Sequence, residues 1–123
     1  MKISVVIIGL GRVGSILLQE LIKHQSKGID IIAVSEPEET PGKILAKSKG
    51  IKNLPIEEIC RLGEKVDIIF ELTGSSEVRQ SLRGQLESMK NRHTIIGPET
   101  MASLICMILS DKELPLVHEH TGY

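Results

Sequence analysis

A chain of 123 residues with a formal net charge of −1 is long enough for one layered domain and too short for two. Aromatic residues are only 2% of it, so it has neither the basic field nor the stacking rings that nucleic-acid binding needs. No apolar run approaches the ~20 residues of a membrane-spanning helix, so no membrane association is expected.

Met1-Lys2 leads straight into a strand instead of a signal peptide, and a cytoplasmic location is expected. Cys60 and Cys106 stand far apart without Cys-x-x-Cys spacing and read as buried small apolar residues. The first strand, Ile3–Ile8, is mostly β-branched and runs directly into Gly9-Leu10-Gly11-Arg12-Val13-Gly14. A helical pattern follows at once, with Ile16, Leu17, Leu18, Leu21 and Ile22 apolar and Gln19, Glu20 and Lys23 polar. Buried strand, glycine turn and amphipathic helix, in that order, are the context that the dinucleotide fingerprint Gly-x-Gly-x-x-Gly requires. Gly9 permits the tight turn, Gly11 leaves the backbone open to a pyrophosphate, and Gly14 lets the helix approach the strand. The helix N-terminus supplies free N–H groups and a partial positive charge.

Ser26-Lys27-Gly28 reverses the chain into a second strand over 29–35, which completes a strand–helix–strand unit. Glu36 follows, about 20 positions beyond Gly14, where the motif places an acid that accepts hydrogen bonds from the adenosine ribose. That acid would repel a 2′-phosphate, so NAD(H) is expected over NADP(H). Glu38 and Glu39 read as solvated. Arg12 stands between two readings, a contact to phosphate and a solvated side chain.

Thr40-Pro41-Gly42 opens a short helix that Gly50 closes, and Ile51 begins a brief third strand or extended turn. Pro55 starts a helix over 56–62 capped by Gly63. Residues 66–72 form the fourth strand, ending in Thr73-Gly74-Ser75-Ser76, where a serine caps the next helix. In that helix Val78, Leu82, Leu86 and Met89 mark the buried stripe. Thr94-Ile95-Ile96 is a short fifth strand, and Gly97-Pro98 turns into a last helix from Glu99 to about Ser110. The domain is expected to span 1–112, with 113–123 a tail.

Strands alternating with helices predict an α/β domain of three layers, a doubly wound parallel sheet of the Rossmann type. Loops at the carboxyl ends of such strands surround the ligand crevice, so Thr73 and Gly74 join Gly9, Leu10, Gly11, Arg12, Val13, Gly14 and Glu36 as expected cofactor-binding residues.

With these residues in view, the chain resembles the cofactor domain of dehydrogenases of the glucose–fructose oxidoreductase/inositol dehydrogenase type and of homoserine and aspartate dehydrogenases. The matching pieces are Gly9–Gly14, Ala33-Val34-Ser35-Glu36-Pro37 and Asp67-Ile68-Ile69-Phe70-Glu71-Leu72-Thr73-Gly74. Pro41-Gly42-Lys43-Ile44-Leu45-Ala46 and Gly50-Ile51 look closer still to short Rossmann modules of bacterial signalling proteins. The resemblance implies an NAD-binding fold and covers roughly residues 1–110. Two departures bear on catalysis. The substrate domain of those dehydrogenases would begin where this sequence ends, and Gly97-Pro98-Glu99 stands where homoserine dehydrogenases carry an Asn-Lys pair.

The expected function is therefore an NAD(H)-binding module, sensing or regulatory in role. The alternative is an oxidoreductase whose substrate domain is absent or supplied by a partner. No catalytic residue is assigned; the candidates for proton transfer are Glu71, Glu99 and the tail histidines. No metal site is expected at His118-Glu119-His120, which read as part of a tail, whereas a metal wants three or four ligands on a rigid frame. The last helix is apolar nearly all round. Met101, Leu104, Ile105 and Ile108 are expected to pack on the sheet, while Cys106, Met107 and Leu109 are left for a homodimer or partner domain through residues 101–109.

Overall fold

The computed structural model describes residues 1–110; the expected domain limit at 112, the tail and its histidines lie outside them. Five parallel strands alternate with five α-helices: β1 (Ile3–Ile8), α1 (Arg12–Lys23), β2 (Ile29–Ser35), α2 (Pro41–Ser48), β3 (Lys52–Asn53), α3 (Ile56–Arg61), β4 (Ile68–Glu71), α4 (Ser76–Ser88), β5 (Ile95–Gly97) and α5 (Glu99–Leu109). The sheet order is β3-β2-β1-β4-β5. The chain thus winds outward from β1 to one edge, then crosses over to β4 and the other. The predicted doubly wound sheet is the observed one.

Alternation along the strands divides the core into two layers. Val5, Ile7, Phe70 and Val34 face α1, α2 and α5, where they meet Leu17, Leu18, Ala46, Ala102 and Cys106. Val6, Ile8 and Ile69 face α3 and α4, where they meet Ile59, Cys60, Leu82 and Leu86. One irregularity breaks the alternation. Val5 pairs with Ile31 but Val6 pairs with Ala33, so Ile32 is an extra residue in β2. This bulge puts Ile32 and Ala33 on the same layer. Beyond it the register brings Ser35 beside Ile8, at the end of β1.

Three expectations are corrected. The fourth strand is shorter than 66–72, although its flanks stay tied to β1: Asp67 N–H donates to Ser4 C=O at 3.0 Å and Leu72 N–H to Ile8 C=O at 2.8 Å. Met89 is exposed and not part of the α4 stripe, because the helix stops at Ser88 and Lys90, at φ 57°, turns the chain away. The α5 stripe is also different. Ala102 and Cys106 are fully buried and Ile105 partly so, whereas Met101, Leu104 and Ile108 are exposed. α5 lies against α1, and small residues permit that approach. The bulky residues turn outward instead. Burial, with the Glu20 carboxylate beside it, pushes the Cys106 thiol up to about 11. Among the described residues no helix is long and apolar enough to cross a membrane, and no cluster of three or more His, Cys, Asp or Glu could hold a metal ion.

At the amino end of the sheet, Asp67 joins β1 to the loop before β5. Its Oδ2 accepts from Ser4 N–H at 2.8 Å and its Oδ1 lies 2.6 Å from His93 Nε2. These bonds, the backbone one foremost, hold the Asp67 carboxyl below the usual aspartate range. A depressed folded-state pKa contributes stability that is present above the unfolded value and lost as pH falls through the folded one. The stability difference between wild type and Asp67→Asn should therefore shrink as pH falls below the ordinary aspartate range. Denaturant melts across the acid range check this; a difference that grows below the aspartate range would contradict it.

Candidate functional site

The glycine turn of residues 9–11 is built by two close approaches. Gly9 has φ +96°, and a Cβ there would lie 2.9 Å from the Leu72 carbonyl carbon, in β4's trailing segment. A Cβ on Gly14 would lie 2.0 Å from the Gly9 carbonyl oxygen, so α1 reaches the turn only because position 14 has no side chain. Gly11 differs: its φ is −73°, open to any residue, and a Cβ there would meet nothing within 4 Å. The fold does not require a glycine at 11.

Around this turn the carboxyl ends of β1, β2 and β4 enclose a cleft of about 400 Å³ lined by Gly9, Gly11, Ser35, Glu36, Pro37, Ile56, Leu72, Thr73 and Val78, among others. A second hollow of about 450 Å³ adjoins it, sharing Ser35, Glu36, Pro37 and Ile56 and adding Lys43 and Asn53. The first lies between the ends of β1 and β4, where the winding reverses, the usual place for a ligand in a doubly wound sheet; the second lies beside it at the ends of β2 and β3.

The first bond of α1 runs from Ser15 N–H to Gly11 C=O at 2.8 Å, so the N–H groups of Arg12, Val13 and Gly14 precede the helical ladder. No side chain caps this end and no acid lies in the first turn. The other α-helices are provided for: Thr40 caps α2, Ser75 caps α4, and α3 and α5 carry Glu57, Glu58 and Glu99 in their first turns. The positive end of the α1 dipole is thus left for an anion from outside the helix.

Glu36 is drawn into the turn. Its Oε1 accepts from Leu10 N–H at 2.8 Å and its Oε2 from Glu38 N–H at 3.0 Å. Gly9 N–H donates to Ser35 C=O at 2.9 Å. The acid at the tip of β2 and the glycine turn therefore form one unit across 26 positions of sequence. Asn53, which the sequence reading missed, holds the Glu36 backbone: its Oδ1 accepts from Glu36 N–H at 3.0 Å and its Nδ2 donates to Glu36 C=O at 2.8 Å. No sequence pattern marks it, because its role depends on the two-residue strand β3 lying beside β2.

The remaining expected residues divide by what their side chains do. Leu10 and Val13 are buried in the core, so only their backbones face the turn. Arg12 is exposed at the start of α1. Thr73 lines the cleft, but its hydroxyl donates to Glu71 Oε1 in a short bond and accepts from Ser75 N–H at 3.0 Å. Gly74, at φ 74°, turns the same loop. Glu71, one of the acids considered for proton transfer, is wholly buried and also takes Thr73 N–H at 3.0 Å. It shapes the loop from beneath. Glu99 opens α5 and is not among the residues lining the cleft.

The sequence matches no protein-family model and no curated protein. Solved structures do match. A homoserine dehydrogenase from S. aureus aligns over 89% of this chain and 30% of its own, with a TM-score of 0.60 and 21% identity. A homoserine dehydrogenase from Thiobacillus denitrificans aligns over 85% of this chain and 25% of its own, with a TM-score of 0.59 and 20% identity. The described chain thus has the Rossmann-like α/β fold of a segment less than a third as long as those dehydrogenases.

Proposed function

We propose that this chain is an NAD(H)-binding Rossmann module with a sensing or regulatory role. The observation that carries the reading is the contrast among the three fingerprint glycines. Gly9 and Gly14 are demanded by backbone contacts, whereas Gly11 lines the cleft and faces open space, which leaves the backbone there open to a pyrophosphate. The cleft fits such a ligand by its chemistry. The pyrophosphate would lie against the uncapped N-terminus of α1. A ribose would donate its hydroxyls to Glu36, whose oxygens each keep a lone pair after accepting one N–H. The same carboxylate disfavours a 2′-phosphate, which is why NAD(H) is proposed over NADP(H). Calorimetric titration tests this: saturable binding of NADH, tighter than NADPH, supports it, and a flat trace up to millimolar ligand overturns it.

A second reading has the fold likeness to homoserine dehydrogenases in its favour: the cofactor domain of an oxidoreductase, with substrate groups supplied elsewhere. NADH production from homoserine or another small hydroxy or amino acid would select it over the sensing module.

The bare face of α5 extends the proposal to assembly. Met107 and Ile108 are 69% and 73% exposed, beside Met101 and Leu104, forming an apolar surface of the kind that marks an interface. A symmetric dimer through residues 101–109 is the simplest partner. Light scattering should show a dimer at micromolar concentration and a monomer for Met107→Lys/Ile108→Glu; a wild-type monomer would refute this.

A further inference from the structure

β3 is only two residues long, and its pairing with β2 is limited to Ala33↔Lys52 and Val34↔Asn53. Such a stub adds little to the sheet. Its effect is to deliver one side chain, Asn53, to the backbone of Glu36, just past the end of β2. We propose that Asn53 is the positioning residue that fixes the Glu36 carboxylate for recognition of an unphosphorylated ribose. The proposal rests on the dinucleotide reading above.

The geometry is specific to asparagine. Glu36 offers one donor, its N–H, and one acceptor, its C=O, and the side-chain amide answers both at 3.0 and 2.8 Å. The amide continues the parallel ladder for one rung beyond the last strand pair. Aspartate could accept from the N–H but has no donor for the carbonyl, and it would face that oxygen with a charge. Alanine would answer neither group.

Holding the Glu36 backbone fixes where its side chain begins, and the two oxygens then reach Leu10 N–H and Glu38 N–H. Without Asn53, Glu36 heads a loop of exposed residues, Pro37 to Glu39, and its carboxylate can leave the glycine turn for water. Selectivity is then affected more than affinity alone. Lys43 lines the same hollow, held by Pro37 C=O at 3.2 Å and Glu39 Oε1 at 3.2 Å. A 2′-phosphate there would be attracted by Lys43 and repelled by Glu36. Asn53 keeps the repelling group in place.

Asn53 is exposed, so its removal opens no cavity and the variants should fold. The experiment measures NADH and NADPH dissociation constants for wild type, Asn53→Ala and Asn53→Asp, with amide hydrogen exchange on the same proteins without nucleotide. The expected result is a roughly three- to tenfold loss of NADH affinity, the factor that one net hydrogen bond is worth. NADPH should weaken less, so the preference for NADH narrows. Exchange at Leu10 and Glu38 should quicken, while Gly9 N–H, bonded to Ser35 C=O, keeps its wild-type rate. Parallel weakening of both nucleotides, or unchanged exchange at Leu10, overturns the proposal. Wild type that binds neither nucleotide overturns the dinucleotide reading and the ribose role with it. The exchange data then still decide whether Asn53 holds Glu36.

Discussion

Gly11→Val should abolish most NADH binding and leave the fold intact. A Cβ at position 11 meets nothing within 4 Å, so the new side chain starts into open space. It projects where the pyrophosphate is proposed to lie, against the N-terminus of α1. Excluding the phosphates from those N–H groups should cost at least roughly tenfold in affinity, or about 1.4 kcal/mol. Gly11 is also the N-cap of α1, where valine is poor, so a drop of about 1 kcal/mol in stability is expected. Parallel melting and NADH titration of the two proteins separate these effects. Equal NADH binding by a well-folded Gly11→Val protein would refute the assignment of the turn.

Gly14→Ala should do the reverse and strike the fold. The new Cβ would lie 2.0 Å from the Gly9 carbonyl oxygen, a backbone atom in a turn that Gly9's φ of +96° and its bond to Ser35 hold in place. Relief requires α1 to move off β1, and α1 anchors both α2 and α5. The expected loss is roughly 3–5 kcal/mol, among the larger single-site effects. That corresponds to a melting point lower by on the order of 15 °C. Gly84→Ala is the matched control. It lies within α4, where an added Cβ meets nothing within 4 Å, so alanine should stabilise by up to about 1 kcal/mol. Two identical substitutions of opposite sign test the geometry itself; a mild effect at Gly14 would contradict it.

The doubly wound parallel sheet was legible in the sequence because each signal was local. β-branched runs, the glycine turn and the helix caps at Thr40 and Ser75 each depend on neighbours a few positions apart. Glu36 was legible for another reason, since the motif sets its distance from the glycines. What the sequence did not disclose depends on packing. The inward face of α5 could not be read from a helix apolar on most sides; the choice of Ala102 and Cys106 follows from how near α1 lies. The bulge at Ile32 leaves no mark in an unbroken apolar run. Asn53 is an ordinary polar residue until β3 sets it beside Glu36. Thr73 shows the opposite case: its position in the cleft was foreseen, but its hydroxyl serves the loop.

The most direct measurement is an NMR titration of isotope-labelled protein with NADH, following every backbone amide. Saturable shifts concentrated at Gly11, Arg12, Val13 and Glu36, with the amides of the amino-end loop around His93 unmoved, are the predicted result. No shifts up to millimolar NADH, or shifts confined to the hollow of Lys49, Lys52 and Arg61 at the β3 edge, would contradict a dinucleotide site at the glycine turn.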